Sequence, residues 1–95
     1  GTLYLNTDST TSNILLTSNV LKYQVLEGTN EVASGIVSST GNLPIYNNIE
    51  INNEVKELTV YIWIDGSLVN NDNSNDILSS VYKGNISMSI ESGDK

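Results

Sequence analysis

The run Leu58-Thr59-Val60-Tyr61-Ile62-Trp63-Ile64, closed by Asp65-Gly66, decides how this chain folds. Leu58, Val60, Ile62 and Ile64 recur every second residue, the period of a β-strand, whereas an amphipathic helix repeats its apolar positions every three or four. The opposite face carries Thr59, Tyr61 and Trp63. A half-exposed strand needs only one apolar face, so the two aromatics require an account. Either they pack beneath a crossing segment, or Trp63 itself plugs the core, or Tyr61 and Trp63 form a flat surface that binds a sugar ring or a partner.

The same period runs outward from this strand. Leu21, Tyr23 and Val25 alternate with Lys22 and Gln24, and Ile86, Met88 and Ile90 alternate with Ser87, Ser89 and Glu91. The second set reads as a strand with one dry side. Leu3 and Leu5 mark a short first strand over residues 2–6. Residues 13–17 and 31–37 are further strand candidates, with Gly35 at a bulge or a close approach of backbone. Ile49 and Ile51 fit a strand ending at an Asn52-Asn53 turn. Turn-forming clusters fall at residues 7–12, 27–30, 38–43, 65–67 and 70–76. One helix is expected, over residues 76–82, where Asp76 would cap a turn carrying Ile77, Leu78 and Val81 inward. Seven to eight short strands at this spacing predict an all-β chain. The expected form is a single antiparallel β-sandwich, immunoglobulin-like or jelly-roll-like, forming one domain over residues 1–95.

Composition narrows the function classes. Eleven acidic residues against four lysines give a formal net charge of −7. Nucleic acid and anionic lipid would repel such a chain, which lacks the clustered positive charge their binding proteins use. No apolar run is long enough to span a bilayer, so no membrane insertion is expected within this sequence. There is no Cys and no His. Disulfides and thiolate metal sites are therefore excluded, together with the commonest general base. Asn, Ser and Thr account for 35 of 95 residues, the small polar surface common in exported β-rich adhesins and fibre subunits.

Three chemistries deserve weighing. Asp65, Asp72 and Asp76, interleaved with Asn70, Asn71, Asn73 and Asn75, gather the oxygen donors calcium favours. The loop lacks the glycine and closing glutamate of the helix-loop-helix calcium pattern, and Asn and Asp equally satisfy backbone groups in ordinary turns. No cofactor is otherwise implied. Catalysis has no marked constellation: serines lack a histidine base, and a thin core leaves little room for a cleft between paired carboxylates. Lys22 and Lys83 are candidates for a Lys–Asn isopeptide cross-link, which needs a buried lysine, yet alternation places Lys22 on the polar face of its strand. The remaining features are contact features: stacking surfaces at Trp63 and Tyr61, with Tyr82 or Tyr46 as additions, and a first strand from Thr2 to Asn6 that could pair with a neighbouring molecule's open edge by strand addition.

The run Val60-Tyr61-Ile62-Trp63-Ile64-Asp65-Gly66 resembles a signature of small exported proteins of low-GC Gram-positive bacteria. In these a strand ending Trp-Ile/Leu-Asp/Glu-Gly is followed by an Asn/Asp-rich loop and a last alternating strand. Residues 70–76 and 83–91 take those places here, and Ala33-Ser34-Gly35 with the turn at 38–43 is similar to an upstream part of the same pattern. The likeness spans residues 20–91 and departs at the front, where the export signal of such proteins is missing. It implies an extracellular or cell-surface component and carries no active site. The expected role is a non-catalytic structural or adhesive module contacting proteins or glycans at a cell surface. A carbohydrate-binding module and a fibre subunit assembling by strand addition are the alternatives.

Overall fold

The computed structural model describes residues 1–50 and 57–89. Six strands and two one-turn helices follow in the order β1 (Thr2–Thr7), α1 (Asn13–Thr17), β2 (Leu21–Glu27), β3 (Asn30–Ile36), β4 (Gly41–Tyr46), β5 (Leu58–Ile64), α2 (Ser74–Leu78) and β6 (Gly84–Ser89), with a 3-10 turn at Gly66–Leu68. The strands form two three-stranded sheets, ordered β4-β1-β6 and β3-β2-β5. All four pairings are antiparallel. The chain thus returns to the first sheet twice after leaving it.

Alternation sets the inner face of each sheet. Leu3, Leu5 and Thr7 are buried along β1, and Leu21 and Val25 along β2. Ile45, Val20, Val37 and Ile49 join them in one cluster, closed at one end by Leu15 and Leu16 of α1 and Ile77 of α2. Both sheets therefore feed a common core, which is what makes two small sheets stable where an isolated hairpin is marginal.

Local chemistry explains the connections. Gly28 and Thr29 join β2 to β3 as a two-residue loop, and Gly28 takes the left-handed φ of 61° that such a hairpin needs at its first position. Asn19, at φ 62°, ends α1 in the left-handed conformation that satisfies a helix C-terminus, and Ser18 N–H donates back to Ile14. The segment before β6 is laced to the loop after β1. Ser12 N–H donates to the Val81 carbonyl, Val81 N–H to Ser12 Oγ, and Asp8 N–H to the Lys83 carbonyl at 2.8 Å each. Thr11 Oγ1 donates to that same carbonyl and accepts from Lys83 N–H.

Several expectations are corrected. Residues 13–17 form helix α1, because Leu15 and Leu16 are both buried and adjacent residues cannot both face inward from a strand. Residues 41–46, partly read as a turn, are strand β4. Pro44 is tolerated because β4 is an edge strand. The second helix begins at Ser74, not Asp76, so Asp76 falls in its first turn. Of its expected inward residues only Ile77 is buried, while Leu78 and Val81 are exposed. Gly35 is a close approach: a Cβ there would fall 2.8 Å from the Tyr23 ring. The bulge lies three residues earlier, where Val32 has no opposite number on β2. Ile49 is buried outside any strand. Ile51, the Asn52-Asn53 turn, Ile90 and Glu91 lie outside the described residues.

Candidate functional site

The exposed face of the β3-β2-β5 sheet is built in rows across the strands. Trp63 stands opposite Lys22, which stands opposite Ile36. Tyr61 stands opposite Gln24, and Gln24 opposite Ser34. Trp63 is 44% and Tyr61 51% exposed, so neither lies under a crossing segment and Trp63 is not the core plug. Two positions apart on one strand, their rings share one face with side chains that can hydrogen-bond. Gln24 Nε2 donates to Glu31 Oε1 at 2.7 Å, and Lys22 Nζ lies 3.9 Å from Asp65 Oδ2. A shallow depression of about 210 Å³ opens beside Trp63, between Lys22, Ser34 and Ile36.

The second feature is a groove of about 570 Å³ along the free side of β5. Its floor is Leu15, Leu21 and Ile77; Ile62 and Ile64 line one side, Leu78 and Tyr82 the other. Tyr82 lines this groove together with Trp63, and its hydroxyl contacts Thr7 Oγ1 at 3.2 Å. Tyr46 is half-buried on β4, its hydroxyl 3.5 Å from Glu27 Oε1, and lies outside the β3-β2-β5 sheet that carries Trp63 and Tyr61.

The apolar face of β6 also stands open. Ile86 and Met88 pair across the sheet with the buried Leu5 and Leu3 and share their inner face, yet are 50% and 40% exposed. The expected dry side is thus uncovered along the described part of this strand. On the outer face Asn6 Nδ2 donates to Asn85 Oδ1 at 2.7 Å and to Ser87 Oγ at 3.0 Å.

The loop expected to offer calcium ligands serves its own turns. Asp65 Oδ1 accepts from Ser67 Oγ at 2.7 Å and Ser67 N–H at 3.0 Å. These two bonds, hydroxyl first, hold its carboxyl below the ordinary carboxylate range. Asp8 is lowered the same way, first by the Thr10 N–H and then by its hydroxyl. Asn70 Oδ1 accepts from the Asp72 and Asn73 amides, and Asn73 Oδ1 from the Asn70 amide. Asp76 lies on α2. Among the described residues no three acidic side chains converge as a metal-binding group, so Asp65, Asp72 and Asp76 are not brought together. The sequence also holds two Ser-x-x-Lys spacings, Ser80 to Lys83 and Ser92 to Lys95, a pattern that in some enzymes marks an activated serine; the second lies outside the described residues. Here the Ser80 hydroxyl donates to the Ile77 carbonyl. Lys22 is half-buried and Lys83 exposed, neither the buried lysine that an isopeptide bond requires.

Alternation marks Tyr61 and Trp63 in the sequence; the groove carries no such mark, because it depends on residues 13–17 forming a helix rather than a strand. Among the described residues no helix is long and apolar enough to cross a membrane. The chain matches no protein-family model, no curated protein and no solved structure.

Proposed function

We propose that this chain is a non-catalytic structural or adhesive module of an exported bacterial protein, with its two sheets stacked as a β-sandwich. The observation that carries this reading is where the exposed large apolar side chains fall. Tyr61, Trp63 and Ile64 on β5 and Ile86 and Met88 on β6 are open to solvent, while Asp65, Asn70 and Asn73 of the polar loop bond within their own turns. Clustered exposed apolar side chains mark contact surfaces. The polar, acidic composition and the resemblance to Gram-positive surface proteins support the cell-surface setting.

A second reading, carbohydrate binding, is favoured by the aromatic pair itself. Trp63 and Tyr61 stand in a row with Gln24, Ser34 and Lys22 beside them, the combination of ring faces and hydrogen-bonding groups that sugars use. Titrating soluble cell-wall and plant polysaccharides against the fluorescence of the single Trp decides between the two. A saturable shift, lost in Tyr61→Ala, supports sugar binding. An unchanged spectrum alongside retention of the protein on protein-coated surfaces supports the adhesive reading, and failure of both overturns the proposal.

A further inference from the structure

Among the described residues four strand edges border the two sheets, and they are not equally guarded. Unpaired edges are templates for another strand, and proteins blunt them with charge, proline and bulges. The β4 edge carries Pro44 and a bulge at Ile45, which has no opposite number on β1. The β3 edge carries Glu31 and the bulge at Val32. These guarded edges neighbour each other through the short connection at residues 37–40. On the far side lie β5 and β6, whose pairings run without a break. Neither contains a charged residue or a proline.

Of these two, β6 is the barer. Every residue from Gly84 to Ser89 is exposed, whereas Leu58, Val60 and Ile62 of β5 are half-buried. We infer that the β6 edge pairs antiparallel with β6 of a second copy of this chain, joining the two β4-β1-β6 sheets into one six-stranded sheet. The inference rests on the contact-module reading above and names its partner.

The strand's own pattern selects the register. Facing residues in an antiparallel pair must share a face, so residue numbers that oppose one another sum to an even total. With Ser87 opposite Ser87 of the other copy, Asn85 meets Ser89, and Ile86 meets Met88 twice over. The four apolar side chains then cover one another on the inner face. Of the two neighbouring even registers, Ile86 opposite Ile86 sets Met88 against Gly84 and leaves it uncovered, and Met88 opposite Met88 carries Ile86 past Ser89, the end of the described strand. Charge does not oppose the choice, since Gly84–Ser89 brings no like charge to the seam.

Because the chain has no cysteine, single cysteines report the register directly. Opposed Cα atoms in an antiparallel pair lie roughly 4.5–5.5 Å apart, within disulfide reach. Ser87→Cys is expected to form a disulfide-linked dimer on mild oxidation. Asn85→Cys alone is not, its copies lying about four positions apart along the strands, but it should cross-link when mixed with Ser89→Cys. Sedimentation of the unmodified protein should show a monomer–dimer equilibrium, and Ile86→Lys should be monomeric while still unfolding in one cooperative transition. Monomer at all concentrations, Asn85→Cys linking as readily as Ser87→Cys, or growth beyond the dimer would each overturn the inference. Such failures leave the module reading standing, because Trp63 lies on a different strand and face.

Discussion

Leu5 and Ile86 face each other across β1 and β6 on the same side of one sheet, yet the first is 1% and the second 50% exposed. Truncating each to alanine removes about three carbon groups, worth roughly 0.8 kcal/mol apiece when fully buried. For Leu5 this gives about 2.4 kcal/mol of transfer, and a partly unrelaxed cavity raises the cost to about 3–4 kcal/mol. Ile86 loses about half its transfer and leaves no enclosed hole, so Ile86→Ala should cost about 1 kcal/mol. In a domain of this size each kcal/mol lowers the thermal midpoint by about 4–8 °C. Leu5→Ala therefore melts about 12–32 °C lower, and Ile86→Ala about 4–8 °C lower. Urea titration of dilute protein, followed by far-ultraviolet circular dichroism, measures both. Equal costs at the two sites would mean that β6 is as covered as β1, and the exposed-edge argument would fail.

Trp63 should emit at long wavelength and be quenched by acrylamide in the folded protein; emission characteristic of a buried indole would refute the outward placement of β5's aromatics. Gly84→Ala would set a Cβ 2.7 Å from the Asn6 carbonyl and against the Tyr82 hydroxyl, at a cost of about 1–3 kcal/mol, read as a lowered melting midpoint. Gly66→Ala, which meets open space, should shift the midpoint by no more than about 3 °C. Asp8 and Asp65 have lowered pKa values in the folded chain, so their contribution is present above the ordinary carboxylate value and lost as pH falls through the folded value. The midpoint should accordingly drop in acid, and Asp8→Asn with Asp65→Asn should flatten that dependence; an unchanged slope would remove these carboxylates from the account.

Strands with unbroken alternation were legible in the sequence: Leu21, Tyr23 and Val25, the run from Leu58 to Ile64, and Ile86 with Met88. Their period is fixed by the pleat, whatever packs on them. One-turn elements were not. Ile14, Leu15 and Leu16 are three adjacent apolar residues, too few to separate a buried strand from a helical turn. Gly41 and Pro44 punctuate like a turn but sit at an edge where a strand accepts both. The aromatic face was visible because Tyr61 and Trp63 exceed what a half-buried strand needs. That β6 would stand uncovered was not visible: alternation shows that a strand has an apolar face but not whether anything lies over it. The acidic loop is ambiguous in sequence for a related reason, since Asn and Asp satisfy backbone groups in turns as readily as they bind metal.

The central claim is that β5 and β6 are bare edges on one side of a core shared by two sheets. Residue-resolved amide hydrogen exchange tests it most directly. In dilute protein the amides of β1 and β2 should exchange slowly, while every second amide of β6 exchanges quickly and slows as concentration rises. Uniformly slow exchange along β5 and β6 in the dilute monomer would contradict the account.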